Sequence, residues 1–248
     1  GTQAVTLADT SLEATSLNTI DGATTGKVNA TALTTLTGSV SDVLNVVTSS
    51  GITFSGTEFI RLSDADSVAA GDLITIDGKT TTVVNATQVT RITGAATDIA
   101  LVLTSGGVSF SGNEAVTLTE TSLGAVTLAA IDSQTSATVD ALALQTLTGA
   151  AATLVSVVTS TQITLNGSEA ITVTDVGTVL ASDLVTIDGK TSLVVDAKAA
   201  TTIKGELATL VGVVTGGTVT LSGTEAISVT DTGTVTAAAL NTLDGKTD

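Results

Sequence analysis

Apolar and polar positions alternate in short bursts that return at a nearly fixed interval. Val5-Thr6-Leu7, Ile60-Arg61-Leu62, Val116-Thr117-Leu118, Ile171-Thr172-Val173 and Ile227-Ser228-Val229 each read as a strand with one buried face. A second strand is predicted at Val28-Asn29-Ala30 and its counterparts beginning at Val84, Val139 and Val195. A third is predicted at Ile52-Thr53-Phe54, ahead of a Gly-x-Glu turn that fits either a hairpin or a β-arc. Between the first and second strands, apolar residues three apart, as in Ala181–Ile187 and Ala238–Leu243, predict two helical turns. Asp-Gly closes them, with glycine in the left-handed C-terminal conformation. Leu33, Leu36 and Gly38 read as a further helical turn, and Ser41–Val47 as a short amphipathic helix with a polar N-cap.

Three landmarks give the repeat its frame: an Asp (Asp21, Asp77, Asp132, Asp188, Asp244), a Gly (Gly38, Gly94, Gly149, Gly205) and the Gly of Gly-x-Glu (Gly56, Gly112, Gly167, Gly223). The interval from Asp to first Gly never changes, and neither does that from first to second Gly. The return to Asp is one residue shorter from Gly112 to Asp132 than in the other repeats. The variable residue lies between the opening strand's acid and the first helix, which marks an exposed outer loop. A period of roughly 56 residues predicts units that stack on their neighbours. The expected fold is one mixed α/β solenoid over residues 1–248, with units 4–59, 60–115, 116–170, 171–226 and a partial 227–248. The alternative is an all-β right-handed β-helix with three coils of roughly 18–19 residues per unit, in which those helices are only corners.

Composition sharpens this picture. Apolar residues make up 42% of the chain and aromatic ones 1%, so the core is layered from Val, Ile, Leu and Ala. That aliphatic content argues against disorder. The net charge of −16 would repel a phosphate backbone or an anionic lipid surface, so neither nucleic acid nor membrane insertion is expected. No apolar run approaches the ~18 residues of a membrane span. Without Cys there are no disulfides, and without Met the chain reads as part of a longer repeat protein.

The motifs at Leu17–Thr24, Val28–Leu33, Leu36–Leu44 and Gly112–Glu120 resemble the tandem repeats of very long Thr- and Ala-rich bacterial, cyanobacterial-type cell-surface proteins. Those repeats accompany hemolysin-type calcium-binding modules, and the resemblance extends over essentially the whole chain. It implies secretion and an extracellular structural or adhesive role, with no catalytic residues to carry over. The calcium-binding nonapeptide Gly-Gly-x-Gly-x-Asp is absent.

With no His, Cys or Tyr, acid–base chemistry would fall to carboxylates or lysine. The acids recur in every unit, as structural ladders do, so no enzyme is expected. Gly189-Lys190-Thr191 and Gly245-Lys246-Thr247 carry the end of a phosphate-binding loop without its earlier glycine, and read as turns. The candidate metal ligands are Glu58 with Asp64, Glu114 with Glu120, Glu169 with Asp175, and Glu225 with Asp231, each pair flanking an opening strand. If successive units bring equivalents within about 5 Å, the repulsion is about 3 kcal/mol at an effective dielectric near 20, and calcium would relieve it. At about 10 Å in solvent the repulsion falls below roughly 0.5 kcal/mol. In the competing reading, Asp9 and its counterparts cap the following helix and the glutamates finish a turn.

The expected function is a non-catalytic extracellular repeat protein of a surface filament, sheath or adhesin stalk, with copies joined head to tail or repeats of one longer chain. Neither Gly1–Ala8 nor Leu240–Asp248 resembles a polar cap, which favours self-association. A carbohydrate-binding adhesive module and an ice-binding solenoid are the alternatives. The second rests on outward Thr6, Arg61, Thr117, Thr172 and Ser228. Sequons stand at Asn29, Asn85 and Asn166, but Asp140 and Asp196 replace the first two in later units.

Overall fold

The computed structural model describes residues 1–246, in two compact units: Gly1–Leu118 with Ser133–Val139, and Thr119–Asp132 with Asp140 onward. The first unit opens with β1 (Val5–Thr6), β2 (Ser11–Glu13), α1 (Ala14–Ala23), β3 (Val28–Asn29), β4 (Thr35–Gly38), α2 (Val40–Thr48) and β5 (Ile52–Thr53). The same order returns as β6 (Phe59–Leu62), β7 (Ser67–Ala69), α3 (Ala70–Asp77), β8 (Val84–Asn85), β9 (Arg91–Gly94), α4 (Ala96–Thr104) and β10 (Val108–Ser109). A third pass begins with β11 (Ala115–Leu118). The second unit continues it with β12 (Ser122–Gly124) and α5 (Ala125–Asp132), then β13 (Val139–Asp140), which lies across the sequence boundary, β14 (Thr146–Gly149), α6 (Ala151–Thr159) and β15 (Ile163–Thr164). A fourth pass runs β16 (Ala170–Val173), β17 (Thr178–Leu180), α7 (Ala181–Asp188), β18 (Val195–Asp196), β19 (Thr202–Gly205), α8 (Leu207–Gly216) and β20 (Val219–Thr220). It is followed by β21 (Ala226–Val229) and α9 (Ala237–Asp244).

The fold is thus mixed α/β, built from repeated short strand–helix units with parallel strands, in a solenoid-like arrangement. The helices overturn the all-β alternative. Each repeat carries five strands and two helices rather than three strands. The helices form because Ala70, Leu73 and Ile76 of α3, for example, fall on one stripe that is fully buried. In the first unit α1 packs on α2, α2 on α3 and α3 on α4; in the second α5 to α9 stack likewise.

The strands pair with a step less than half the length of the sequence repeat. Leu12 of β2 faces Leu36 of β4, which faces Ile60 of β6, the same interval each time. In the second unit Leu123, Leu147 and Ile171 keep that step. These apolar side chains point inward, while Thr35, Thr37 and Arg61 lie on the outer face. Sheet β2-β4-β6-β8-β10 therefore gathers strands from different parts of successive repeats.

Three local expectations need correction, and one choice left open by the sequence is resolved. Thr35–Gly38 is strand β4 rather than a helical turn, because Leu36 is held between Leu12 and Ile60 in a parallel ladder. The predicted outer loop contains strands β2, β7, β12 and β17, and the one-residue length difference is confined to the exposed links Thr10, Ala65–Asp66, Thr121 and Val176–Gly177. The Asp-Gly glycines are not left-handed: Gly78 and Gly189 have φ of −65° and −67° and continue the helical turn, donating to carbonyls of the last turn. The Gly-x-Glu turns are β-arcs rather than hairpins, since β5 and β6 belong to different sheets, as do β20 and β21.

Candidate functional site

The candidate acids divide into two sets with different partners. Gly56, Gly112, Gly167 and Gly223 sit at φ of +80°, +87°, +76° and +87°, the left-handed region that glycine enters without a Cβ penalty. This bend folds the following glutamate back over its own turn. Glu58 is buried and accepts the Ser55 N–H at 2.8 Å, the Ser55 hydroxyl at 2.6 Å and the Gly56 N–H at 3.0 Å. Glu114 repeats all three bonds with Ser111 and Gly112, and Glu225 accepts the N–H groups of Ser222 and Gly223. Glu169 accepts the Asn166 N–H at 2.7 Å. The glutamates' own carbonyls tie the arc to the next circuit: Thr80 and Thr82 donate to Glu58 O, Thr135 to Glu114 O and Thr191 to Glu169 O.

The second set caps helices, but not the ones that follow. Asp64 accepts the Val40 N–H that opens α2, Asp175 the Ala151 N–H of α6, and Asp231 the Leu207 N–H of α8, all at 2.7 Å. Each capped helix lies one strand step back in the chain, so the expected capping of the following helix is wrong in direction. A carboxylate there satisfies an orphan N–H and meets the positive end of the helix dipole. Ala95, Ala150 and Glu206, which precede α4, α6 and α8, make no side-chain cap themselves. Glu120 is half-buried at the equivalent position and is also engaged.

The two acids of a pair therefore serve different elements. The strands that follow the glutamates, β6, β11, β16 and β21, lie in four different sheets, so no single ladder stacks one glutamate on the next. Among the described residues no three or more Asp or Glu gather at metal-binding range.

Sequence reasoning missed the partners of the landmark aspartates. Asp21, Asp77 and Asp132 accept the Ser49, Ser105 and Ser160 hydroxyls on the stacked helix's C-cap, at 2.8, 3.2 and 3.2 Å, and Asp188 accepts Thr218 at 2.9 Å. It also missed a steric reason for glycine at three of the four first landmarks. A Cβ on Gly38, Gly149 or Gly205 would lie 2.8, 2.9 or 3.0 Å from the Cβ of Ala14, Ala125 or Ala181, the buried residue that opens a stacked helix. Asn29 and Asn85 accept the N–H two residues on, and Asp140 and Asp196 do the same, which explains why Asn and Asp interchange at those sequons.

The clefts repeat too. One of about 280 Å³ is lined by Val47, Ile52, Phe54 and Lys79, and another of about 260 Å³ by the counterparts Val158, Ile163, Leu165 and Lys190. Lys190 and Thr191 form an ordinary turn after α7, bonded to Ile187 O and Asp188 O; Gly245-Lys246 has the same place after α9, and Thr247 lies outside the described residues. Thr6, Arg61 and Thr117 lie in three different sheets, and Thr172 and Ser228 in two others, so they do not form a ladder. No helix among the described residues is long and apolar enough to cross a membrane.

Fold and carboxylates together define a mixed α/β repeat protein whose successive strand–helix circuits are tied by acids to backbone N–H groups. No protein-family model, no curated protein and no solved structure matches the chain.

Proposed function

We propose that the chain is a non-catalytic structural repeat protein of an extracellular surface filament, sheath or adhesin stalk. The observation that supports this reading is that its reactive groups recur with the same structural partners. Buried glutamates close arcs, aspartates cap helices one step back, and the cleft beside Phe54 has a counterpart two repeats on, beside Leu165. A catalytic or glycan-binding centre is ordinarily a single convergent set of polar groups. Copies joined end to end, or repeats of one longer chain, fit the same reading, because short parallel strands accept another strand at the same step. Secretion is the part that the resemblance to surface repeats supports.

Immunogold electron microscopy on intact source cells, with antibody to this chain, tests the proposal. Labelled fibres or a labelled outer layer are expected. Label confined to the cell interior would overturn it.

A further inference from the structure

The β-arc at Asn166 differs from its three counterparts in a way that has a chemical consequence. Position 166 is Asn where the other arcs carry Ser55, Ser111 and Ser222, and it is the only asparagine in the chain followed by glycine. In the serine arcs the glycine N–H is held by the turn's glutamate: Gly56 to Glu58 at 3.0 Å, Gly112 to Glu114 at 3.0 Å and Gly223 to Glu225 at 2.9 Å. In the asparagine arc Glu169 still accepts the Asn166 N–H, as the other glutamates accept the serine N–H, but the Gly167 N–H makes no bond to it. The nitrogen that would attack the Asn166 side chain is thus released from the bond that restrains it elsewhere.

The electrophile is prepared as well. Asn166 Oδ1 accepts the Ser168 N–H at 2.7 Å and the Ser168 hydroxyl at 2.6 Å, two donors on the oxygen that becomes negative when Cγ is attacked. The residue is exposed, so water and hydroxide reach it. Gly167, at φ +76°, places no side chain in the way.

We propose that Asn166 is a site of spontaneous deamidation and isoaspartate formation in the folded protein. Gly167 N loses its proton to hydroxide and bonds to Asn166 Cγ. The Cγ–Nδ2 bond then breaks and, with a proton from water, ammonia leaves a cyclic imide. Water opens the imide at either carbonyl, giving aspartate or isoaspartate. Either product alters the arc. Asn166 Nδ2 now donates to Leu142 O at 3.0 Å and Leu144 O at 2.8 Å, and both bonds are lost when a carboxylate faces those carbonyls beside buried Glu169. The modification is a timer confined to one arc: it weakens 166–169 and leaves 55–58 intact.

The full chain is incubated folded at neutral and mildly alkaline pH, beside a sample unfolded in guanidinium, and every asparagine is followed by peptide mass spectrometry and isoaspartyl methyltransferase labelling. In the folded chain Asn166 should convert ahead of Asn18, Asn29, Asn45, Asn85, Asn113 and Asn241, at least as fast as in the unfolded sample. Its rate should rise with hydroxide, and part of the product should be isoaspartate. Asn166→Ser, which installs the residue of the other three arcs, should abolish the acidic species. In aged protein, hydrogen exchange should speed up at 163–170 and not at 52–59. Asn166 remaining intact in the folded chain while the unfolded chain converts would overturn the proposal, since the two Nδ2 bonds would then lock the amide. Earlier conversion at any other asparagine would overturn it as well.

Discussion

Glu114→Ala isolates the glutamate that closes a β-arc. The side chain is 0% exposed and accepts the Ser111 N–H at 2.6 Å, the Ser111 hydroxyl at 2.5 Å and the Gly112 N–H at 3.0 Å. Bonds to an ionised acceptor contribute about 1.5–3 kcal/mol each, but the serine and glycine lie at an exposed turn where water partly replaces the lost acceptor. The expected loss is therefore about 3 kcal/mol rather than the full sum. Glu114→Gln keeps one acceptor oxygen and sets an NH₂ against a donor, so roughly half of that loss is expected. Ser111→Ala removes only the hydroxyl and should lose about 1 kcal/mol.

Stacked repeats unfold in parts, so the measurement is local. Native-state hydrogen exchange of the amides in 108–118 gives the opening free energy of this arc, and amides of α1 serve as an internal reference. A loss below about 0.5 kcal/mol for Glu114→Ala would refute the reasoning, because that is the range of an ordinary surface change. A gain for Glu114→Gln would refute it differently. It would mean that the acid is held against repulsion, as in an unfilled cation site, and millimolar calcium should then stabilise the wild type by RT ln(1 + [Ca]/Kd). With the acid satisfied by its own turn, calcium is expected to leave the exchange of 108–118 unchanged.

Other expectations follow from the same contacts. Gly149→Ala should destabilise by about 1–3 kcal/mol, since its Cβ would lie 2.9 Å from that of Ala125, whereas Gly177→Ala meets nothing within 4 Å and should be neutral in a urea melt. Asp175→Ala removes the acceptor for the Ala151 N–H and should lower stability by about 0.5–2 kcal/mol, read as faster exchange in the first turn of α6. Burial works to raise the pKa of Glu225, but the Ser222 hydroxyl and the N–H groups of Ser222 and Gly223 outweigh it and hold it below its ordinary value. Its contribution is therefore fully present above the unfolded glutamate's pKa and is lost as pH falls through the lower folded value, so the 222–225 arc should open on acidification and Glu225→Gln should remove that pH dependence.

Much of the architecture is written in local periodicity. Val28–Asn29, Ile52–Thr53 and Ala181–Asp188 lie where alternation or three-residue spacing puts them. Thr35–Gly38 is misread because Leu33 and Leu36 have helical spacing, and only the parallel pairing on either side makes the segment a strand. The carboxylate roles are half legible. That Glu58 finishes a turn follows from Ser-Gly-Thr-Glu, but Asp64 capping α2 does not, because the obvious long period hides the shorter strand step. A signal for that step is nevertheless present: Leu12, Leu36, Ile60, Val84 and Val108 recur at one constant interval, and all five prove to be inward positions of one sheet.

The same step explains where the repeat tolerates a change of length. Helix starts alternate between a shorter interval (Ala14 to Val40, Ala70 to Ala96) and a longer one (Val40 to Ala70). Both exceed the interval between strands in register, so each repeat carries surplus residues that the ladder cannot absorb in one sheet. A new sheet begins in each repeat on a three-residue strand, β7 in one and β12 in the next, which keeps the exposed edges short. The links before those strands are the remaining slack. Val5 faces Val28 where the link is Thr10 alone, and Arg61 faces Asn85, one position further along the chain, where it is Ala65–Asp66; inward residues stay inward in both. One glycine inserted after Thr10 should therefore change stability by less than about 0.5 kcal/mol. One residue inserted between Thr35 and Leu36 slips the pairing by one, so the first part of the strand turns an outward Thr to the core, or the second part turns Leu36 to solvent. Losing burial of one leucine is already about 2–3 kcal/mol, and an unpartnered buried hydroxyl adds to it, so this variant should melt the surrounding circuits. Equal losses for the two insertions in denaturant titrations would show that the ladder, and not the link, sets the tolerance, and the account of the step would fail.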